Sequence, residues 1–463
     1  MSELMPDSLA DFKFLSQPEI SVDGEKVAFL VKEVNEEEDG YDSNIWIYDF
    51  ENRSSYQLTT SNKDENFTWT GKDELLFTSS RNRESEEEAT DFYRINVNGG
   101  EAVKAFSAPQ PVSSIEWTGE KLVYKSPVKI TDDGEESDGE EPSCLTLDEI
   151  PFWSNGKGFT SKKRAHLFSF AEDLEEPLDL TEGSISVEEY ALRDGKAVFV
   201  GRDYRDKAPI TNSLYLVDLD TGDSSPVRLT DEEFQFGLVE FNGPESFYVT
   251  MTDMEEAGLN QNHQLYEYDL RSEELALLTP DWDRSFANSV LTDVRLGQGQ
   301  DSTIDGECFY FVSTDKSYSC LSSLSPDGEI EHLTGRKGSV DDFSVKDGRV
   351  VYVKLSDDHL QELYAISDEG EERKLTSLND RAFPEAAFTP PEMFAVKRNE
   401  ANIDSWIIKP HEFDPDKKYP AILEVHGGPK AVYGDVYFHE MQLLANQGYV
   451  VIYSNPRGSD GKG

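Results

Sequence analysis

Seven short stretches of apolar and aromatic residues recur along most of the chain. Each of them follows a turn that carries a glycine, such as Asp23-Gly24 or Asp194-Gly195. β-Branched and aromatic residues favour strands, and such turns fold the chain back onto a preceding strand. A hairpin is therefore predicted at each of the seven stretches, which are Val27-Ala28-Phe29, Leu75-Leu76-Phe77, Leu122-Val123-Tyr124, Ala197-Val198-Phe199, Ser246-Phe247-Tyr248, Cys308-Phe309-Tyr310 and Val350-Val351-Tyr352.

A further strand-like segment follows each hairpin, for example Ile45-Trp46-Ile47-Tyr48 in the first unit and Leu363-Tyr364-Ala365-Ile366 in the last. Six of the seven units then end on Leu-Thr, and the second unit has Ala105-Phe106 instead. Four strands per unit in a repeated array are typical of a β-propeller. We therefore predict a seven-bladed β-propeller, with a β-sandwich of coincidental spacing as the alternative. The six Leu-Thr pairs are Leu58-Thr59, Leu180-Thr181, Leu229-Thr230, Leu278-Thr279, Leu333-Thr334 and Leu375-Thr376.

The third unit carries a long insertion between about Pro127 and Arg164. Residues 131–141 are strongly acidic and do not fit the loop pattern of a calcium-binding EF-hand, so we expect a solvated loop there. The second part, Ile150 to Phe159, is aromatic and rich in glycine. We interpret it as a hydrophobic clasp on the propeller rim, with a loop that faces a substrate as the alternative.

The pattern changes at both ends of the repeat. Met5, Leu9 and Phe12 share one helical face, which predicts a lead helix over residues 1–15. The propeller is assigned to residues 16–380. Residues 381–463 contain a strand pair, a nearly continuous apolar strand at 421–425, a helix at 438–446 and a strand at 449–453. An apolar strand followed by a helix and a strand predicts the start of a doubly wound α/β domain, in which a parallel sheet is buried on both faces.

The charge balance narrows the possible functions. The chain has 93 acidic and 43 basic residues, a formal net charge of −50 and a pI near 4.3. Such a surface repels phosphate backbones, so no nucleic-acid partner is predicted. With 37% hydrophobic and 11% aromatic residues, the chain is too apolar for a disordered acidic protein. We predict adaptation to high salt, where ions screen the self-repulsion.

The three cysteines, Cys144, Cys308 and Cys320, have no C-x-x-C spacing and predict neither a disulfide framework nor a metal site. No apolar run approaches a membrane span, and the N-terminus lacks a secretion signal. We therefore predict a cytoplasmic protein with no membrane partner, no metal and no cofactor.

Candidate chemistry begins where the strand at 421–425 ends, in His426-Gly427-Gly428-Pro429. Glycines without a Cβ let backbone N–H groups approach a ligand closely, as the oxyanion hole of an acyl-transfer enzyme requires. Gly428 is the main candidate donor, with Gly427 beside it, and His426 is expected to brace this loop rather than act as a base. A simple tight turn is the alternative if the motif is taken alone.

Together with other motifs, this loop resembles the prolyl oligopeptidase family of serine peptidases, in particular its acylaminoacyl-peptidase branch. The matching stretches are Lys418-Tyr419-Pro420, His426-Gly427-Gly428-Pro429, Gln447-Gly448-Tyr449-Val450-Val451, Asn455-Pro456-Arg457-Gly458-Ser459 and, in the insertion, Asn155-Gly156-Lys157-Gly158. The chain departs from the family at Lys462, where tyrosine is usual. The resemblance implies a Ser-His-Asp triad, a propeller that admits only short peptides, and supporting roles for Asn455 and Arg457.

In that family the serine, aspartate and histidine come later than Gly463, and no G-x-S-x-G occurs in the 463 residues. Ser459 has no nucleophile elbow around it and is rejected as the nucleophile. We therefore expect the N-terminal portion of a serine peptidase that acts on short peptides and is inactive as this chain alone. A second polypeptide would have to supply the triad if nothing follows in the same chain. The strand at 449–453 would then be left exposed at an unfinished sheet edge.

Two other classes of protein remain open. One is a non-catalytic propeller that binds peptides or partner proteins, and the other is an esterase with the same hydrolase fold, which the propeller disfavours. The sequence does not choose between exopeptidase, acyl-peptide and endopeptidase activity, and it leaves a homo-oligomer open.

Overall fold

The computed structural model describes residues 4–82, 89–130, 147–155, 158–171, 176–181, 183–219, 225–231, 233–297, 299–367, 369–399, 401–428 and 430–462. Within these residues, seven consecutive four-stranded antiparallel sheets are followed by one mixed four-stranded sheet. The chain enters through a 3-10 helix, Pro6–Asp11, and the first strand begins at Lys13. The lead segment is therefore shorter than the expected helix, and residues 13–15 belong to the first sheet. The acidic stretch 131–141 lies outside the described residues.

We number the seven sheets in chain order. The first contains β1 (Lys13–Ile20), β2 (Lys26–Asn35), β3 (Gly40–Asp49) and β4 (Ser54–Gln57), and the second contains β5 (Asp64–Gly71), β6 (Glu74–Ser79), β7 (Thr90–Asn96) and β8 (Val103–Ala108). The third sheet contains β9 (Ser114–Trp117), β10 (Leu122–Lys129), β13 (Lys163–Phe170) and β14 (Leu178–Asp179). Between β10 and β13 the chain forms a separate hairpin of β11 (Trp153–Ser154) and β12 (Gly158–Phe159).

The fourth sheet contains β15 (Ile185–Arg193), β16 (Lys196–Asp203), β17 (Ser213–Asp218) and β18 (Val227–Arg228), and the fifth contains β19 (Gln235–Phe241), β20 (Ser246–Thr252), β21 (Gln264–Asp269) and β22 (Glu274–Leu277). After a two-residue strand, β23 (Val290–Leu291), the sixth contains β24 (Ser302–Asp305), β25 (Cys308–Asp315), β26 (Tyr318–Leu324) and β27 (Ile330–His332). The seventh contains β28 (Ser339–Lys346), β29 (Arg349–Ser356), β30 (His359–Ile366) and β31 (Glu372–Lys374).

The seven sheets form a closed ring. Each neighbouring pair shares a hydrophobic cluster, and one cluster joins the seventh sheet to the first by packing Leu15 and Phe29 against Val353. The backbone N–H of Gln17 also donates to the Asp342 carboxylate at 2.7 Å. The ring closes through these side chains, because each sheet is built from its own continuous stretch of chain. The first strands of all seven sheets line a central cavity of about 680 Å³.

The repeated sequence signals have clear structural reasons. The seven apolar stretches lie in the second strand of each sheet, where neighbouring sheets cover both faces. The threonine of each Leu-Thr pair accepts a hydrogen bond, through its Oγ1, from a backbone N–H of the third strand of its own sheet. The six donors are Ile45, Leu167, Leu214, Leu265, Leu321 and Leu363, at 2.9–3.2 Å. The threonine thus satisfies a backbone group where the outer strand leaves the ladder.

The last part of the chain contains β32 (Glu392–Arg398), β33 (Ala401–Ile408), β34 (Ala421–Glu424), β35 (Val432–Tyr433), α1 (His439–Asn446) and β36 (Val450–Ser454). The sheet order is β32-β33-β36-β34, with β34 parallel to β36. Gly448, at φ +92°, follows the helix in a conformation that suits glycine.

Two expectations about this sheet are wrong. The strand β36 lies inside the sheet rather than at its edge, because β33 and β34 pair with its two sides. The edge strand is β34, and its apolar side chains are not buried on both faces, since Leu423 is 64% exposed. Among the described residues, no helix has the length and apolar character needed to cross a membrane.

Candidate functional site

The glycine loop follows the edge strand β34 and leads into β35, which pairs in parallel with β23 between the fifth and sixth sheets. This pairing fixes the loop over one face of the ring. Gly427 and Gly428 are exposed, and no atom lies within 4 Å of the place where a Cβ of Gly427 would stand. Both backbone amides are thus on an open surface. Pro429 lies outside the described residues.

His426 is hydrogen-bonded at both ring nitrogens. Nδ1 lies 2.6 Å from the carbonyl oxygen of Gly427, and Nε2 lies 2.8 Å from the hydroxyl of Ser459. Because a carbonyl can only accept, Nδ1 must carry the proton, and in the neutral ring Nε2 accepts from Ser459. The edge of the imidazole also packs on the ring of Tyr433, with centroids 5.2 Å apart.

The hydrogen bond to Gly427 has a consequence for the next residue. In a planar trans peptide, the carbonyl of Gly427 and the N–H of Gly428 point in opposite directions. Holding the carbonyl toward the imidazole therefore turns the Gly428 N–H away from it. Nδ1 of His426 faces a carbonyl rather than a carboxylate, so the Ser459–His426 contact lacks the orienting acid of a catalytic triad.

Asn455 lies at the end of β36 and connects it to the strand that follows the glycine loop. Its Oδ1 accepts from the backbone N–H of Tyr433 and its Nδ2 donates to the Tyr433 carbonyl, both at 2.8 Å. The Asn455 side chain thus pairs with β35 as a neighbouring strand would. The sequence assigned Asn455 a supporting role only through a family resemblance. The structure shows how it can act, because its two hydrogen bonds hold the backbone of Tyr433.

Arg457 is exposed and lines a cavity of about 290 Å³ together with Lys316, Asp404 and Ser459. Within the described part of the chain, its guanidinium has no ion-pair partner. Lys462, at the position where the resemblance leads one to expect tyrosine, forms an ion pair with Asp404 at 2.5 Å. The cavity is therefore bordered by three cations, of which Lys462 is paired, whereas Lys316 and Arg457 have no ion-pair partner among the described residues.

Two acidic anchors near the site were not found from the sequence. The carboxylate of Asp460 accepts from the hydroxyl of Ser285 at 2.6 Å and from that of Ser289. The carboxylate of Asp293 accepts from the backbone N–H groups of His439 and Glu440, at 2.7 and 2.8 Å, and so caps helix α1. Their partners are about 150 or more positions away in the chain, so no local pattern could reveal them.

The central cavity collects carboxyl groups whose pKa values are raised by burial. The pKa of Glu19 and that of Glu116 rise to about 7, and that of Glu240 rises to about 8. Desolvation is the main cause in each case, and neighbouring carboxylates add to it at Glu116 and Glu240. The described residues contain no group of three or more side chains that could hold a metal ion.

Comparison with known proteins gave relatives in sequence. No family model matches the chain. The uncharacterized peptidase YuxL of Bacillus subtilis is 28% identical over 475 residues, which cover 99% of this chain and 71% of YuxL. Dipeptidyl-peptidase 5 of Arthroderma otae is 33% identical over 169 residues, which cover 34% of this chain and 23% of that protein.

Solved structures share the fold. Acylaminoacyl peptidase of Pyrococcus horikoshii has a TM-score of 0.80 at 23% identity, over 99% of this chain and 68% of that one. The β-propeller domain of the Trilobed protease of Pyrococcus furiosus has a TM-score of 0.55 at 19% identity, over 80% of this chain and 99% of that one. The relatives of this chain are peptidases, and its largely β-stranded fold is that of acylaminoacyl peptidase and of a solved β-propeller domain.

Proposed function

We propose that this chain is the N-terminal part of a serine peptidase of the prolyl oligopeptidase family, similar to acylaminoacyl peptidases, that hydrolyses short peptides. The observation that carries the proposal is the glycine loop, in which His426 holds the Gly427 carbonyl and so turns the N–H of the exposed Gly428 away from the imidazole. The peptidase relatives and the shared fold support the same assignment.

The proposed peptidase has two domains within this chain. The seven sheets, from Lys13 to Lys374, are the blades of the β-propeller that the sequence assigned to residues 16–380, and a lead segment precedes them. Residues 381–463 are the beginning of an α/β-hydrolase domain. The closed ring of sheets supports the first assignment, and the parallel pairing of β34 with β36 around helix α1 supports the second.

In the proposed reaction, a serine attacks the carbonyl carbon of a peptide bond and negative charge develops on the carbonyl oxygen. The Gly428 N–H donates to that oxygen, and Gly427 lets the backbone approach it without a Cβ. His426 and Asn455 hold the loop, and Arg457 borders the adjoining cavity. The serine, histidine and aspartate of the triad are expected in the sequence after Gly463, or on a second polypeptide.

The second candidate is a propeller that binds peptides without cleaving them. A fluorophosphonate, which reacts covalently with an activated serine, separates the two candidates. The peptidase proposal requires stoichiometric labelling of the natural polypeptide together with hydrolysis of short peptides. The binding candidate requires neither.

We also propose that the protein works in a salt-rich cytoplasm. The net charge of −50 supports this, because only screening makes such a surface compatible with a compact fold.

A further inference from the structure

The hairpin formed by β11 and β12 lies on the same face of the ring as the glycine loop. It belongs to the connection between the second and third strands of the third sheet. The corresponding connections of the fifth, sixth and seventh sheets all contact the last part of the chain. Asn262 accepts from Lys430 Nζ, Ser317 donates to Asp435, and the Ser356 carbonyl accepts from the Tyr437 N–H. Since strand directions repeat from sheet to sheet, the hairpin faces the same side.

Large apolar side chains are exposed on this hairpin and on the loop beside it. Ile150 pairs with the second-to-third connection of the fourth sheet: its N–H donates to the Asp206 carbonyl, and its carbonyl accepts from the Ala208 N–H. Ile210 lies two residues beyond Ala208 in this connection. We define the aromatic hairpin surface as the five residues that are each 44–61% exposed, namely Ile150, Phe152, Trp153, Phe159 and Ile210.

The base of the hairpin is held rigidly by buried charges. Arg164, which is fully buried, forms an ion pair with the equally buried Glu149 at 2.7 Å. Its guanidinium lies 3.6 Å from the centre of the Tyr204 ring and donates to the Tyr204 carbonyl at 2.8 Å. The second Glu149 oxygen accepts from the Lys162 N–H at 2.6 Å. Because a buried ion pair is costly to break, these contacts fix the exposed apolar residues in place.

The charge of this surface differs from that of the rest of the chain. No acidic residue occurs between Ile150 and Arg164, in a chain where acidic residues outnumber basic ones by 93 to 43. Lys163, Arg205 and Lys207 are exposed around the hairpin, and within the described residues none of them has an ion-pair partner. Asp148 is paired with Lys162, and Asp206 is exposed between Arg205 and Lys207. Cations thus outnumber acids around an apolar surface on a strongly anionic protein, which favours a ligand that combines an apolar group with a negative charge.

We propose that the aromatic hairpin surface binds a short peptide through an apolar side chain of the peptide and a carboxylate beside it. The apolar side chain packs among Phe152, Trp153 and Phe159, and the carboxylate lies against Lys163, Arg205 or Lys207. This inference rests on the proposed function, because a peptidase needs a peptide site on the face that carries its oxyanion donor. The carboxylate is either the C-terminus of the peptide or an acidic side chain.

Peptide binding to the chain tests this directly and does not require catalysis. The probes are acetyl-Ala-Phe with a free carboxylate, acetyl-Ala-Phe amide and acetyl-Glu-Phe amide, titrated by calorimetry. We expect the first or the third to bind at least tenfold more tightly than acetyl-Ala-Phe amide, and the stronger of the two identifies the carboxylate. Equal binding of all three probes, or no binding, overturns the proposal.

Variants locate the site. Trp153→Ser should weaken binding of the carboxylate peptide at least tenfold, whereas Val103→Ser, at an exposed apolar position of the second sheet, should leave it unchanged. The triple variant Lys163→Gln/Arg205→Gln/Lys207→Gln should bind the carboxylate peptide no better than acetyl-Ala-Phe amide. Equal losses in the Trp153 and Val103 variants, or hairpin-dependent binding of phosphatidylglycerol vesicles without peptide binding, contradict the proposal.

The hairpin site and the peptidase function can fail independently of each other. If the natural polypeptide hydrolyses peptides with no effect of Trp153→Ser on KM, the peptidase assignment stands and the hairpin site falls. If it binds carboxylate peptides through the hairpin but hydrolyses none, the site stands as a binding site and the peptidase assignment falls.

Discussion

The side chain of Asn455 pairs with the backbone of Tyr433 through two hydrogen bonds of 2.8 Å. Asn455 follows the inner strand β36, whereas Tyr433 ends the short strand that follows the glycine loop. The amide therefore fixes the position at which the glycine loop returns to the fold, and the geometry of the proposed oxyanion donor depends on it.

Asn455→Asp should damage both stability and catalysis. Aspartate keeps the acceptor for the Tyr433 N–H but places a second oxygen against the Tyr433 carbonyl, which costs about 1–3 kcal/mol of unfolding free energy. Thermal denaturation measures the first effect and kcat the second. Asn402→Asp, at an exposed asparagine, is the matched control. Equal behaviour of the two variants would show that the Asn455 clamp is unimportant.

His426→Ala should lower kcat by about 10–100-fold with little change in KM, because the Gly428 N–H loses its fixed orientation rather than the substrate losing a binding contact. His426→Asn keeps a donor near the Gly427 carbonyl and should recover part of the loss. His411→Ala, at an exposed histidine in a surface connection, serves as the control. This role of His426 would be rejected if His411→Ala lowered kcat equally and His426→Asn recovered none of the loss.

Thr59→Val should destabilise the protein by about 1–2 kcal/mol, because the buried N–H of Ile45 loses its acceptor while the shape of the side chain is kept. Thr60→Val changes the neighbouring exposed threonine and should have almost no effect. Urea denaturation of both variants measures the difference. Identical midpoints would mean that the Leu-Thr endings do not stabilise the sheets.

Glu240→Gln should stabilise the protein increasingly as the pH rises above about 4.5. Burial raises the pKa of Glu240 from 4.5 to about 8, so folding opposes its ionisation, and stability is lost as the pH rises from the unfolded pKa through the folded one. Glutamine cannot ionise and still accepts from Ser302. We expect no gain near pH 4 and a gain of about 5 kcal/mol at most near pH 9, measured by thermal denaturation. Glu274→Gln, on the exposed outer strand of the same sheet, is the matched control.

Salt should stabilise the native state strongly. Raising KCl from about 0.1 M to about 1 M shortens the screening length from ~10 Å to ~3 Å and so reduces repulsion within a chain of charge −50. The melting temperature should rise over this range and continue to rise at higher salt. A melting temperature that is constant or falls with KCl would contradict adaptation to high salt.

Local patterns in the sequence predicted much of the fold. The seven apolar stretches and the six Leu-Thr pairs each act within one sheet, over a few tens of residues, so their spacing is visible in the chain. The strand–helix–strand order after the ring was predictable for the same reason. The order of strands in the last sheet was not, because the pairing of β33 with β36 joins segments that no turn connects.

The site was predicted less completely. The glycine pair and His426 stand out because their residue types and spacing suit an oxyanion donor. Asp293 and Asp460 do not, because an acidic residue is ordinary in this chain and only long-range contacts reveal its partners. The raised pKa of Glu240 is equally invisible in the sequence, since it arises from the convergence of seven sheets around one cavity.

Titration of the natural polypeptide with a fluorophosphonate, followed by mapping of the labelled residue, is the decisive experiment for a serine peptidase. In a serine peptidase, one label per polypeptide should be found on the serine of a G-x-S-x-G segment after Gly463, and peptide hydrolysis should be lost in proportion to labelling. A folded natural polypeptide that takes up no label and cleaves no peptide would rule out the peptidase and leave the ring of seven sheets as a binding module.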